Sequence, residues 1–114
     1  MNTKILKTLS SLFLFIFLSN ELLADQGISS DQILIGMHTD ISGPASMIGK
    51  QSVDGANMRF SEFNENGGAY GRKVKFIVED HQYTVPRAVQ AANKLLRKDK
   101  IAFMMGSLGT PMNN

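Results

Sequence analysis

Cysteine is absent from this chain of 114 residues. Its absence excludes a disulfide framework, a thiolate nucleophile, a cysteine-ligated zinc site and a lipid attached through an N-terminal cysteine. An excess of one charge is also lacking, because 12 Lys and Arg residues face 10 Asp and Glu residues. Basic residues cluster only at Arg97, Lys98 and Lys100, which argues against a nucleic-acid-binding surface. A chain of this length forms at most one small domain.

A hydrophobic run long enough to cross a membrane is missing as well, but a shorter one lies near the N-terminus. Lys4 and Lys7 precede an apolar run at residues 9–18, which is short of the ~20 residues that a transmembrane helix needs. A basic start, a short apolar core and the small residue Ala24 are typical of a secretory signal peptide. We therefore predict a signal peptide over residues 1–24, cleaved after Ala24, and a periplasmic location. The alternative is an uncleaved N-terminal anchor.

The rest of the chain alternates between strand and helix patterns. Residues 33–37 and 101–105 are short, uncharged, apolar runs, typical of strands buried on both faces of a parallel sheet. Residues 73–78 alternate in polarity, which predicts a less buried strand at an outer position. Apolar residues three and four positions apart predict a first helix over 47–64. Pro86 suits the first turn of a second helix.

The order of these elements predicts the fold class. A βαβαβ order implies right-handed crossovers and a parallel, Rossmann-like sheet, so we expect an α/β protein. Ligand loops of such sheets gather at the carboxyl ends of the strands, here residues 39–49, 80–85 and 106–110. The second helix carries two adjacent apolar rows. These rows are Ala88, Ala91 and Leu95, and Val89, Ala92 and Leu96.

The loop of residues 106–110 is the strongest candidate site. Thr110 and Pro111 resemble a helix start at the carboxyl edge, with Ser107 and Gly109 just before them. The unpaired N–H groups and partial positive charge of a helix start suit a carboxylate or a phosphate, and the Thr110 hydroxyl adds a donor. The alternative is that Thr110 only caps the helix.

Other chemistry has little support in the sequence. No segment matches the phosphate cradle or the three-glycine dinucleotide fingerprint, and no serine lies in a Gly-x-Ser-x-Gly setting. His38 with Asp40, and Asp80 with His81, supply only two groups each, too few for a metal site and a weak basis for an acid–base pair. We expect Asp80 instead to bond backbone at the strand end, as Asx residues do in turns.

Taken together, several segments resemble the branched-chain amino-acid-binding proteins, the periplasmic receptors of ABC importers. No single segment is specific, but the set runs in unbroken order through nearly all of the chain after the predicted leader. The segments are residues 33–36, Ile41-Ser42-Gly43-Pro44 through Gly49, Gly55-Ala56, NENGGAYGR at 64–72, Glu79-Asp80, 86–89 and 106–111.

The resemblance implies a two-lobed protein that closes on a small ligand and passes it to a membrane permease, with no catalysis, no metal and no cofactor. It also implies that Leu108, Gly109 and Thr110 hold the ligand's carboxylate through backbone groups and a hydroxyl, with Ser107 in the same loop. Where these receptors commonly place an aromatic residue beside the ligand, this chain has Ile48. The ligand class is therefore left open among amino acids, amides, urea and aromatic acids.

The chain stops directly after the predicted helix start at Thr110 and Pro111. We therefore expect residues 25–114 to form an incomplete N-terminal lobe of a longer protein, whose second lobe would hold the ligand's ammonium group. Two other functions stay open: an extracellular small-molecule sensor domain on the same fold, and an exported α/β enzyme. A cytoplasmic phosphoacceptor domain has the same order of elements. The leader and the lack of an acidic pair after the first strand argue against it.

Overall fold

The computed structural model describes residues 25–113, in which strands and helices alternate. The predicted signal peptide and its cleavage site lie outside the described residues. Within residues 25–113, neither helix combines the length and the apolar character that crossing a bilayer requires. The elements are β1 (Gln32–Thr39), α1 (Ser46–Glu65), β2 (Lys73–Asp80), α2 (Val85–Asn93), a π-helical turn (Lys94–Lys98), β3 (Phe103–Met104) and a 3-10 turn (Thr110–Met112).

The three strands form one parallel sheet in the order β2–β1–β3, which confirms the expected α/β fold. β1 pairs with β2 along its whole length, from Gln32 opposite Lys73 to Thr39 opposite Asp80. Residues 35–39 of β1 are buried, whereas Lys73 and Lys75 of β2 are exposed. The predicted outer position of β2 is therefore confirmed, and β1 is the central strand.

The two helices cover opposite faces of this sheet. On one face, Phe60 of α1 packs against Phe76 of β2, with ring centroids 5.1 Å apart. On the other face, Gly36 makes room for the chain after α2, because a Cβ there would lie 2.5 Å from Ile101 Cδ1 and 3.2 Å from Leu95 Cδ2. Leu95 and Ile101 are fully buried, and each contributes about 1.5–3 kcal/mol by leaving water.

Only one of the two apolar rows of the second helix is buried. Ala88, Ala91 and Leu95 face the sheet, whereas Val89 and Leu96 are 54% and 45% exposed. The π-helical turn at the end of the helix is held by Lys94, which donates to Glu79 of β2 and, at 3.0 Å, to Asp99 Oδ2. The hydrogen bond to Glu79, and to a smaller extent the one to Asp99, raise the pKa of Lys94.

The third strand differs from the fully buried strand expected over residues 101–105. Only Phe103 and Met104 pair as a strand with β1, and Phe103 is 51% exposed. Phe103 lines an apolar groove of about 330 Å³ beside α1, together with Phe60 and Phe63. The apolar run favours burial of Phe103, but the described elements leave about half of its side chain uncovered.

The end of α1 is tied to the outer edge of the sheet. Gly67 and Gly68 follow the helix with φ of 99° and 65°, as expected of residues that tolerate a left-handed helix end. The side-chain amide of Asn64 pairs with β2 as the backbone of a neighbouring strand would. Its Nδ2 donates to the Val74 carbonyl (2.9 Å), and its Oδ1 accepts from the Val74 N–H (2.7 Å). These two bonds satisfy backbone groups that β1 does not reach.

We predict that Asn64→Ala lowers the free energy of unfolding by about 1–2 kcal/mol, because both Val74 backbone groups lose a partner. Urea unfolding checks the stability, and faster amide exchange at Val74 checks the location. Asn93→Ala is the matched control, because its amide donates only to Val89 of its own helix at an exposed position. That control is expected to stay within about 0.5 kcal/mol of the wild type. Equal losses in the two variants would contradict the prediction.

Candidate functional site

The carboxyl ends of the strands bring three loops together, as the element order predicts. The Thr39 carbonyl of the first strand accepts from the His81 N–H (2.9 Å), which extends the β1–β2 pairing by one step. Ser42 of the first loop donates to Asp80, and His81 of the second loop bonds to Leu108 of the third. Each loop therefore restrains the next, and the edge is a connected surface.

Asp80 joins the first two loops. Its Oδ1 accepts from the N–H groups of Ile41 (2.9 Å) and Gln82 (3.0 Å), and its Oδ2 accepts from the Ser42 hydroxyl (2.6 Å). Burial opposes the charge, but the Ser42 hydroxyl and these N–H groups outweigh it and lower the pKa of Asp80 to about 2. The expectation that Asp80 bonds backbone at the strand end is confirmed.

Asp40 has a related role that sequence reasoning missed. Its carboxylate accepts from the N–H groups of Gly43 (2.5 Å) and Ala45 (2.7 Å), just before α1 begins. Gly49 is needed nearby, because a Cβ there would lie 1.8 Å from the Asp40 carbonyl oxygen. The available signal was an Asp with Ser, Gly and Pro two to four positions later, which are residues typical of turns.

Two buried histidines lie side by side behind this edge. The rings of His38 and His81 are 5.4 Å apart and meet edge to face, and the two residues are 3% and 0% exposed. Burial, and then the neighbouring His81, lower the pKa of His38 from its usual 6.5. Among residues 25–113, no group of three or more histidine and acidic side chains lies together in a way that could hold a metal ion.

The third loop contains four of the five predicted site residues. Ser107 Oγ is buried and finds no hydrogen-bond partner among the described residues. The Leu108 carbonyl oxygen lies 3.0 Å from His81 Nε2, and Gly109 has a φ of 103°. Thr110 is exposed and opens a 3-10 turn.

The predicted helix start is therefore present as a turn of three residues. Gly109 is the residue that caps it, and no side-chain cap hydrogen bond forms, so the Thr110 hydroxyl does not cap the turn. Asn113 instead donates to the carbonyl groups of Gly109 (2.7 Å) and Ser107 (3.3 Å). The carbonyl oxygens of this loop are thus largely occupied by donors of the protein.

Ile48, the fifth predicted site residue, lies on a different element. It occupies the first turn of α1, next to the buried Gly49, and its side chain is 53% exposed. Ile48 and Thr110 are thus both exposed, on elements that follow the first and the third strand.

Comparison with known proteins defines the class of protein to which this edge belongs. A family model described as "Periplasmic binding protein" matches residues 32–113, which include all three strands and loops. The chain therefore belongs to the periplasmic binding protein family. The expected resemblance to Leu/Ile/Val-binding proteins is confirmed by the relatives below.

Two relatives are leucine-type binding proteins. A Leu/Ile/Val-binding protein of Rhizobium johnstonii is 33% identical over 84 residues, which are 74% of this chain and 23% of that protein. The leucine-specific-binding protein of Salmonella typhimurium is 30% identical over 87 residues, 76% of this chain and 23% of that protein. The chain thus spans about a quarter of the length of these relatives.

Solved structures show the same fold. A fatty acid ABC transporter substrate-binding protein from Thermomonospora curvata superposes with a TM-score of 0.69 at 28% identity, over 76% of this chain and 22% of that one. The branched-chain amino acid transporter substrate-binding protein LivJ of Streptococcus pneumoniae, solved with isoleucine, gives a TM-score of 0.70 at 22% identity. That match covers 73% of this chain and 24% of the LivJ chain, and it concerns the fold alone. The fold is that of the type I periplasmic binding proteins.

We predict that Asp80→Asn lowers stability at neutral pH, because a neutral amide replaces the charged acceptor of these hydrogen bonds. The loss is on the order of 1 kcal/mol, because Asp80 is partly exposed and solvent weakens the effect of its charge. The pKa of about 2 lies below the usual 3.8, so the charged form is favoured by folding. This contribution is present above pH ~4 and is lost as the pH falls from ~4 towards 2.

Urea unfolding across this pH range checks the prediction. The difference between the wild type and Asp80→Asn is expected to shrink on acidification. Asp54→Asn, at an exposed position of α1, is the control and is expected to change little. A difference between the wild type and Asp80→Asn that stays constant from pH 7 to pH 2 would count against the prediction.

Proposed function

We propose that this chain supplies the ligand loops of the first lobe of a periplasmic substrate-binding protein, after an N-terminal signal peptide. The whole protein captures a small molecule and delivers it to an ABC permease in the inner membrane, without catalysing a reaction. The family match over residues 32–113 is the observation that carries this proposal. The rest of the receptor, including the second lobe, lies beyond the quarter of the relatives' length that this chain spans.

In this proposal the third loop holds the anionic group of the ligand. The Leu108 and Gly109 backbone and the Thr110 hydroxyl form the contact, with Ser107 beside them. The support is physical: Thr110 is exposed and does not cap the turn, and Gly109 N–H finds no partner among residues 25–113. A charged acceptor strengthens hydrogen bonds from such donors.

The ligand class that fits best is a carboxylate attached to a small apolar group. Ile48 is apolar and exposed at the same edge, where it suits an aliphatic part of the ligand better than a polar one. Leucine-type amino acids and fatty acids, which appear in the names of the relatives, share this combination. An amino acid is the form that we propose, because the more similar relatives carry leucine in their names, in one case with isoleucine and valine.

The test is a calorimetric screen of the whole protein with L-leucine, octanoate, benzoate, acetamide and urea. We expect L-leucine to bind, and the two uncharged amides not to bind. Binding of octanoate but not of L-leucine would keep the transport role and replace the ligand class. Binding of none of the carboxylates would contradict the proposed function.

Thr110→Ala is expected to weaken binding of the preferred carboxylate by about 1–3 kcal/mol, because the charged group loses a hydrogen bond. Calorimetry at a single pH gives the affinity. Ser61→Ala removes another exposed hydroxyl, near the far end of α1, and serves as the control. Equal affinity of Thr110→Ala and wild type would reject Thr110 as a ligand contact.

A further inference from the structure

His81 is the most completely buried polar side chain that bonds to the third loop, with an exposed fraction of 0%. Each of its ring nitrogens has one partner. The Tyr83 N–H donates to Nδ1 at 2.9 Å, and Nε2 lies 3.0 Å from the Leu108 carbonyl oxygen. One imidazole therefore connects the second loop to the third loop across 27 residues of sequence.

These partners determine which nitrogen carries the proton. An N–H group can donate only to an unprotonated ring nitrogen, so Nδ1 is the acceptor. The proton of the neutral ring then lies on Nε2, which donates to the Leu108 carbonyl. The backbone of the second loop thus selects the tautomer that bonds to the third loop.

The second loop maintains this arrangement against backbone strain. Gln82 and Tyr83 both have left-handed φ values, 50° and 57°, which are strained for residues other than glycine. Their N–H groups are held by Asp80 and His81, and Thr84 bonds to the His81 carbonyl through both its N–H and its hydroxyl. The strained backbone is maintained because these four hydrogen bonds hold the turn in this conformation.

The consequence for the third loop follows from the geometry of the peptide bond. In a trans peptide the carbonyl and the following N–H point in opposite directions. When His81 holds the Leu108 carbonyl toward the interior, the Gly109 N–H must point outward. Tyr83 supports this orientation, because its Cε2 would lie 3.4 Å from a Cβ at position 109, so the ring packs against Gly109.

We propose that His81 is a positioning residue for the ligand site: by holding the Leu108 carbonyl inward, it aims the Gly109 N–H at the carboxylate of the ligand. This role rests on the function proposed above. His81 does not touch the ligand. Its effect on affinity passes through the orientation of one peptide plane.

Two substitutions separate the two nitrogens of His81. In His81→Gln, the amide nitrogen can replace Nε2 and donate to Leu108, but Tyr83 loses its acceptor. In His81→Asn, the amide oxygen can replace Nδ1 and accept from Tyr83, but Leu108 loses its donor. The whole protein is titrated by calorimetry with the preferred ligand of the screen, and its melting temperature is measured without ligand.

We expect His81→Asn to bind about tenfold more weakly, and His81→Gln to bind within about threefold of the wild type despite a lower melting temperature. A purely structural role predicts instead that affinity follows melting temperature in both variants, and that outcome would overturn the proposal. His38→Gln is the matched control: it replaces the adjacent buried imidazole, and it is expected to lower the melting temperature without changing the affinity.

Nuclear magnetic resonance tests the same role without a ligand. The ¹⁵N shifts of the His81 ring are expected to show a proton on Nε2, and the Gly109 amide signal is expected to move in His81→Asn but not in His81→Gln. A proton on Nδ1, or equal changes in both variants, would refute the positioning role. If these signals behave as expected while none of the tested ligands binds, His81 orients the Gly109 peptide, but the proposed function fails and the role at a ligand site fails with it.

Discussion

The parallel pairing of the central strand with both of its neighbours is the constraint on which the other features depend. Because β1 and β2 pair from Gln32 opposite Lys73 to Thr39 opposite Asp80, both strands end at the same level. The N–H of Met105 donates to the Gly36 carbonyl (2.9 Å), so the chain after β3 reaches the same edge. Three loops that are far apart in sequence therefore become neighbours, and the chain needs no disulfide to hold them.

At this edge, three side chains with ionisable groups form hydrogen bonds to the backbone. Asp40 holds the approach to α1, Asp80 joins the first two loops, and His81 joins the second loop to the third. Because their hydrogen-bonding atoms are largely occupied within the protein, these residues shape the edge. The hydroxyl of Thr110 and the N–H of Gly109 are among the groups of this edge that find no partner within residues 25–113.

The sequence predicted the elements well where local patterns are strong, and it failed where the outcome depended on distant neighbours. The spacing of apolar residues located α1 to within one residue at each end, and alternation placed β2 at an outer position. Phe103 belongs to an equally clear apolar run, yet it is half exposed. The Asp40 turn was locally encoded and still missed, because an acidic residue beside a histidine also fits a weak catalytic or metal pattern.

By itself, the sequence determined the α/β order, the outer position of β2 and the loops that meet at the carboxyl edge, and its resemblance to known receptors indicated the family. The order of the elements and the position of β2 follow from residue type and from spacing over a few positions, which act before distant parts of the chain meet. Only the tertiary structure decided that His81 bonds to Leu108, that Asp80 bonds to Ile41 and Ser42, and that Thr110 leaves its hydroxyl uncommitted. The long-range partners are separated by 27 to 39 residues, so they are fixed by strand register and backbone geometry, which no local pattern encodes.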